Sequence, residues 1–237
     1  MTVSAQRARR WRQILFELRP ALPGEWSVRG TGLGMSLVRE PLDWALGWIG
    51  YSGSPSRPVG WAAAGVQPLV TPPLGFGLTY GIRMDEVRSG PRTVDLLADD
   101  AADAIRRFVL DAGLAEIDAW PVERLAEVAE RDFAQDPHRR GKHWDHLPGW
   151  RVVTGSGSPV EPAEQLTALC RQKAGTASGR GSRRLAERGT FYERLCEEWH
   201  EGGSGAALRL LAEQRDQALG SWKLDRLATA PRPDPGP

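Results

Sequence analysis

Three of the four histidines in this chain lie close together in the stretch DPHRRGKHWDH. They are His138, His143 and His146, and two aspartates, Asp136 and Asp145, are interleaved with them. Imidazole and carboxylate groups are ligands for zinc and other divalent ions. Their spacing matches no established zinc motif, so a solvated polar loop is the simpler interpretation. A metal-dependent hydrolase centred on the three histidines is therefore one hypothesis, and the least favoured of three.

The second hypothesis is a protein associated with nucleic acid. Residues 138–194 carry eleven lysines and arginines against five acidic residues, a net charge of +6. Cations interleaved with aromatic residues such as Trp144 and Trp150 can hold a nucleic-acid backbone and stack on its bases. A mobile, solvated surface explains the same composition, because a basic patch alone specifies no binding fold.

Established catalytic motifs are missing from the sequence. It contains no nucleophile elbow, no paired-cysteine redox motif, no H-E-x-x-H and no kinase set. We therefore expect a non-enzymatic protein with no catalytic residues, no cofactor-binding residues and no cofactor. Cys170 and Cys196 are too few for a disulfide framework, fit a reducing cytoplasm, and are expected to be buried as small apolar side chains.

The stretch WSVRGTGLGMSLVRE, residues 26–40, has three glycines in five residues. A phosphate-binding glycine loop needs a helix directly after it, because the helix N-terminus supplies the N–H groups. Here the glycines precede β-forming residues and Pro41, and no lysine stands where a P-loop needs one. The sequence predicts a turn between two strands.

The elements around these residues predict an α+β fold. Trp11, Ile14, Leu15 and Leu18 have the spacing of one helical face. Short stretches rich in Trp, Val, Leu, Ile and Tyr follow, each bounded by Gly, Pro or Ser: 26–29, 35–39, 44–51, 61–69 and 77–83. Such short connections cannot hold crossover helices. We expect an N-terminal helix on an antiparallel meander sheet of four or five strands, followed by a mostly helical C-terminal half.

The expected domain organisation follows this order of elements. It comprises an α+β sheet domain at 1–134, an irregular histidine-containing loop at 135–161, a helical C-terminal region at 162–228 with a flexible segment at 171–184, and a disordered tail at 229–237. Within the helical region, Thr190 and Glu193 form a predicted capping box, and EGGSG precedes a final helix. The sequence has no long apolar segment and no apolar signal core, so we expect a cytoplasmic protein and no membrane partner.

Residues 1–130 resemble one family of uncharacterised bacterial proteins, a domain of unknown function. The resemblance lies in WRQILFELRPALPGEW, WSVRG, LVREP, DWALGWIGYSGS, WAAAGVQPLV and the acidic helix LADDAADAIRRFVLDAG. Some members of the family are encoded near polymorphic toxins, so the resemblance implies an immunity-like binding role. It assigns no functional residues.

The leading hypothesis is a non-enzymatic module that binds another protein. It rests on the missing catalytic motifs, on the ten tryptophans and on blocks of opposite charge. Residues 85–136, for example, carry fourteen acidic residues against six arginines. The expected contact is either the acidic helices at 95–136 or an open face of the sheet. Nucleic acid is the alternative partner.

Overall fold

The computed structural model describes residues 2–53, 58–72, 77–88, 90–135 and 143–227. The chain divides into two compact units. The first, which we call the sheet unit, contains the described residues of 2–67, 77–120 and 222–227. The second, the helical unit, contains those of 68–72 and 121–221.

A five-stranded antiparallel sheet forms the sheet unit, and its strands follow one another in chain order. The strands are β1 (Glu25–Arg29), β2 (Ser36–Glu40), β3 (Ala45–Gly53), β4 (Gly60–Pro68) and β5 (Tyr80–Arg83). This confirms the predicted meander and leaves β1 and β5 at the two edges.

Helix α1 (Val3–Leu18) buries the predicted stripe of Trp11, Ile14, Leu15 and Leu18. The Trp11 ring lies 5.5 Å from the ring of Tyr51 on β3. Its indole Nε1 donates a hydrogen bond of 2.8 Å to the carbonyl oxygen of Met35, just before β2. One residue therefore fixes α1 to two neighbouring strands through both its apolar surface and its polar atom.

The glycine-rich stretch is a turn, as predicted. Gly32–Gly34 form a single 3-10 turn that connects β1 to β2, and Met35 continues in extended conformation. Gly30 has φ +89°, and a Cβ at this position would lie 2.6 Å from the carbonyl oxygen of Gly34. Only glycine fits this conformation and this close approach.

The second group of helices in the sheet unit packs on the sheet where small residues allow a close approach. It comprises α2 (Ala101–Phe108), a π-helical turn (Val109–Gly113) and α3 (Leu114–Asp118). Gly113 approaches Ala64 of β4 so closely that a Cβ would lie 2.9 Å from the alanine methyl group. Gly47 of β3 leaves room for the side chain of Ile117 in the same way. The acidic helices thus pack on the sheet through their apolar sides.

The helical unit contains four further helices. They are α4 (Val122–Ala134), α5 (Leu147–Thr154), α6 (Val160–Ala174) and α7 (Gly179–Ser221). Gly203, with φ +63°, interrupts α7 and divides it into two arms. Arg194 of the first arm and Glu213 of the second lie 3.5 Å apart, so the two arms fold back on each other.

Several predicted boundaries differ from the structure. The stretch 135–161 was expected to be irregular, yet it contains a 3-10 turn (Trp144–His146) and α5. Pro148 in the first turn and Gly155, at φ +65°, supply the start and the stop of this helix. Helix α4, expected within a sheet domain at 1–134, belongs to the helical unit.

The C-terminal region also differs in its helix boundaries. The capping box at Thr190 does not start a helix, because α7 runs through it from Gly179. Residues 171–174 end α6 and residues 179–184 begin α7, so the turn within the predicted flexible segment is confined to 175–178. The predicted tail at 229–237 lies outside the described residues.

Membrane-spanning segments are a separate question. Among the described residues, no helix combines the length and the apolar character that crossing a bilayer requires.

Candidate functional site

The structure places two of the three candidate metal ligands. His138 lies outside the described residues. His146 is buried in the helical unit, with Nδ1 at 3.0 Å from Thr71 Oγ1 and Nε2 at 3.4 Å from Asp145 Oδ1. The backbone N–H of His143 donates to Asp132 Oδ2 at 3.2 Å. The His143 side chain also interacts electrostatically with Asp145 and His146, so the two histidines share one acidic neighbour.

A buried ion pair adjoins His146. Arg188 of α7 donates from one guanidinium nitrogen to Asp145 Oδ2 at 3.0 Å and to the Tyr192 hydroxyl at 2.9 Å. The Tyr192 hydroxyl in turn donates to the backbone carbonyl of Asp145 at 2.8 Å. Only 9% of the Arg188 side chain is exposed, so water contributes little to stabilising its positive charge. These partners stabilise the charge instead. We call Thr71, Asp145, His146, Arg188 and Tyr192 the buried polar network.

The electrostatics of the network follow from burial and from one fixed charge. Burial raises the pKa of the Asp145 carboxyl, but His146, when charged, and Arg188 outweigh this effect and hold the pKa below its usual value. Burial lowers the pKa of His146, so the imidazole is neutral near pH 7. Burial also raises the pKa of Tyr192, and its hydroxyl stays protonated. At neutral pH, Arg188 is therefore the cation that balances Asp145.

Thr71, His146 and Asp145 follow one another in the order hydroxyl, imidazole, carboxylate. In a catalytic triad these groups act as the nucleophile, the general base and the acid that orients the base. Thr71 is only 2% exposed, however, and His146 is 7% exposed, so both groups are buried within the described part of the helical unit. The contacts instead attach residues 68–72 to the turn before α5. The network holds the fold of the helical unit together.

Within the part of the chain that the structure describes, no group of three or more His, Cys, Asp or Glu side chains could hold a metal ion. Both ring nitrogens of His146 face protein groups, and a metal would have to displace one of them. Because His138 is outside the described residues, the three-histidine site stays a prediction.

Acidification is expected to destabilise the protein through His146. Its folded pKa lies below the ordinary value of 6.5, so only the unfolded chain takes up a proton as the pH falls through 6.5. The free energy of unfolding should then fall with decreasing pH, by at most about 1.4 kcal/mol per pH unit for this group. Urea denaturation between pH 7 and pH 5 measures the slope. The range from pH 5 to pH 7 lies above the ordinary pKa of the Asp145 carboxyl, 3.8. The contribution of the Asp145 carboxylate to the free energy of unfolding is lost only below that value, so it does not affect the slope.

His146→Gln removes the titrating group and should flatten this slope. His200 is exposed, and His200→Gln serves as the control that should leave the slope unchanged. Equal slopes in the wild-type protein and in His146→Gln would show that His146 is not the group responsible.

The two cysteines are unreactive positions. Burial raises the pKa of both thiols. Nearby glutamates contribute at Cys196 and bring its pKa to about 11. A thiol rather than a thiolate is therefore present at neutral pH, which suits neither nucleophilic catalysis nor metal ligation.

The tryptophans do not form an open docking face. Six are buried: Trp11, Trp26, Trp44, Trp48, Trp144 and Trp150. The other four are half-buried: Trp61, Trp120, Trp199 and Trp222. Most of the tryptophans are therefore core residues, as is usual for large apolar side chains. The exposed large apolar side chains of the described residues are Val3, Phe16, Val59 and Leu97.

Phe16 lies on an open, grooved surface of the sheet unit. Its side chain is 48% exposed and lies beside two grooves that both follow β1. One groove, of about 530 Å³, has no acidic residue in its lining, which comprises Ala8, Arg9, Arg12, Phe16, Val28, Gly30, Thr31, Gly32 and Met35. Arg12 stacks on the Phe16 ring at 5.5 Å. We call this groove together with β1 the β1 edge surface.

The backbone of β1 contributes the polar part of this surface. On one side β1 pairs with β2, in the register Trp26 to Arg39 and Val28 to Leu37. On the other side no strand of the described residues pairs with it. The Arg29 guanidinium donates to the Val28 carbonyl oxygen at 3.2 Å. The N–H and C=O of one residue in an antiparallel strand point the same way, so a Val28 carbonyl on the open side of β1 would place the Val28 amide there too.

Comparisons of the chain with protein-family models, with curated proteins and with solved structures found no match.

Proposed function

We propose that this is a non-enzymatic, cytoplasmic protein-binding module of the immunity-like kind, and that it holds an extended segment of its partner along β1. The observation that carries the proposal is the β1 edge surface. An unpaired strand edge is a template for strand addition, and the neighbouring groove gives the added strand side-chain specificity.

The chemistry of the groove favours an acidic and apolar segment. Arg9, Arg12 and Phe16 lie at i, i+3 and i+7 on the solvent side of α1. Neither arginine forms an ion pair with an acidic residue of the described chain. A partner strand along β1 would bring carboxylates to the two guanidinium groups and an apolar side chain to Phe16. The charged groups would give specificity and speed of association, and the backbone ladder would give register.

The test uses a fluorescein-labelled eight-residue peptide that alternates valine with glutamate, and the same peptide with lysine in place of glutamate. We expect the acidic peptide to bind the full chain and the basic peptide not to bind. Fluorescence anisotropy gives the dissociation constants. Protection of the Val28 amide from hydrogen exchange locates the contact.

Val28→Pro removes the Val28 N–H and should weaken peptide binding about tenfold or more, the equivalent of one lost hydrogen bond and a blocked edge. Val28→Thr keeps the amide and is its matched control. Arg9→Ala with Arg12→Ala should weaken binding at least tenfold, because bonds to charged groups are stronger. Arg106→Ala with Arg107→Ala, an exposed pair on α2, controls for net charge. Full binding by folded Val28→Pro would refute strand addition at β1.

A further inference from the structure

The basic segment at 138–194 separates into neutralised and unneutralised cations. Four arginines have acidic partners: Arg151 with Glu130, Arg171 with Glu193, Arg188 with Asp145, and Arg194 with Glu213. These pairs join elements of the helical unit. Half of the described cations of the segment are therefore neutralised within the fold, and its net charge overstates the charge offered to a partner.

Four other cations remain at the junction of α6 and α7. Lys173 ends α6, and Arg180, Arg183 and Arg184 occupy the first two turns of α7. All four side chains are exposed, and none has an ion-pair partner within the part of the chain that the structure describes. We call these four residues the basic corner.

Hydrogen bonds hold the basic corner in a defined geometry. The Lys173 carbonyl accepts from the backbone N–H groups of Thr176 and Ala177, at 3.2 and 3.0 Å, and from the Thr176 hydroxyl at 3.1 Å. The Ser182 hydroxyl donates to the Ala174 carbonyl at 3.0 Å and so connects α7 to the end of α6. Arg180 and Arg184 are one helical turn apart, with Arg183 beside them. The four cations are therefore carried by one hydrogen-bonded segment that connects the end of α6 to the start of α7.

The surroundings of the basic corner discriminate among anionic partners. No acidic residue occurs between 165 and 186, although Glu187 follows one helical turn after Arg183 and lines a groove with it, and no large apolar side chain of the described residues is exposed between 165 and 186. Apolar side chains that insert between lipids would strengthen a contact with a membrane, and the centre of a protein interface usually contains buried apolar anchors. A phosphodiester backbone requires only cations. The β1 edge surface differs from the basic corner because an exposed apolar side chain, Phe16, lies beside its arginines.

We propose that the basic corner is a second binding surface, which contacts the phosphate backbone of a nucleic acid without selecting a base sequence. It lies in the helical unit and is independent of the protein-binding function proposed for β1. With up to four phosphate contacts, the affinity should fall about 100-fold between 50 and 200 mM salt. DNA and RNA both offer the backbone, and the experiment distinguishes them.

The experiment measures binding of the full chain to fluorescein-labelled 20-nucleotide probes of mixed sequence: duplex DNA, single-stranded DNA and single-stranded RNA. We expect binding at 50 mM salt that is tighter than the dissociation constants of about 10⁻⁶–10⁻⁴ M usual for contacts of this kind at physiological salt. Arg180→Ala with Arg184→Ala should weaken binding at least tenfold and should lower the salt slope by about two. Arg106→Ala with Arg107→Ala removes the same charge from the sheet unit and should bind like the wild-type protein.

Each other outcome overturns the proposal. No binding of any probe at 50 mM salt and 100 μM protein excludes a nucleic-acid surface. Equal losses in the two double variants would show a response to net charge alone. Binding of vesicles that contain phosphatidylserine, or of polyglutamate, with the same loss on Arg180→Ala and Arg184→Ala but without binding of the nucleic-acid probes, would assign the corner to a membrane or to an acidic protein. Circular dichroism confirms that both variants are folded.

Discussion

Asp145→Ala is expected to lower the free energy of unfolding by about 3 kcal/mol. The alanine leaves Arg188 charged at a position with 9% of its side chain exposed, and the remaining hydrogen bond to the Tyr192 hydroxyl supplies no negative charge. Removing one partner of a buried ion pair costs about 3–5 kcal/mol. The lower value applies because 28% of the Asp145 side chain is exposed. Water can therefore partly take the place of the missing carboxylate beside Arg188. Urea denaturation followed by circular dichroism at pH 7 measures the change.

Two controls separate this effect from loss of an ordinary ion pair. Asp145→Leu combined with Arg188→Met removes both charges, and apolar replacement of a whole pair is often close to neutral. The double variant should therefore be more stable than Asp145→Ala. Glu193→Ala breaks the exposed pair with Arg171 and should cost less than about 1 kcal/mol. Equal losses in Asp145→Ala and in the double variant would contradict an uncompensated charge on Arg188.

Local sequence patterns predicted the sheet unit well. Each strand is bounded by turn-forming residues, and a strand that follows its neighbour through a short connection has one place to pair. The helical stripe on α1 was equally clear, because four large apolar residues share one face. Strand order in a meander also places β1 at an edge. The sequence could not show that Phe16 stays exposed beside it, since this depends on how α1 lies across the sheet.

Long-range contacts explain what the sequence did not reveal. Arg188 belongs to a basic stretch that looked solvated, and its acidic partner, Asp145, is 43 residues away. His146, a candidate metal ligand in the sequence, has its Nδ1 at 3.0 Å from the hydroxyl of Thr71, 75 residues earlier. No local pattern encodes such pairs. Helix α5 was missed for a different reason: its eight residues contain Pro148 and Gly149, which usually indicate a loop.

The two proposed surfaces differ in a way that composition alone obscured. Arginine occurs on both surfaces. Arg9 and Arg12 lie beside Phe16 and the edge strand β1, whereas the basic corner has cations without an exposed apolar neighbour among the described residues. Desolvated apolar anchors carry most of the energy of protein interfaces, and phosphate backbones are held mainly by charge. Sorting arginines by what lies beside them is therefore the basis on which we propose different ligands for the two surfaces.

Gly149→Ala is expected to destabilise the protein by about 1–3 kcal/mol, although alanine normally strengthens a helix. A Cβ at Gly149 would lie 2.5 Å from the carbonyl oxygen of Val70 and 2.7 Å from its Cβ, and a backbone oxygen cannot rotate away as a flexible side chain can. The segment 68–72 must then shift, and the hydrogen bond between Thr71 and His146 should weaken with it.

The matched control for Gly149→Ala is Gly181→Ala, on the exposed side of α7, where an added Cβ would meet nothing within 4 Å. This change should stabilise the protein by about 0.5–1 kcal/mol, the usual gain of alanine over glycine inside a helix. Urea denaturation measures both variants, and hydrogen exchange at the amides of residues 69–71 locates the effect. Because helix propensity favours alanine at both positions, opposite signs isolate the close contact between α5 and Val70. Stabilisation by both variants would show that residues 68–72 do not pack against Gly149 as tightly as the structure indicates.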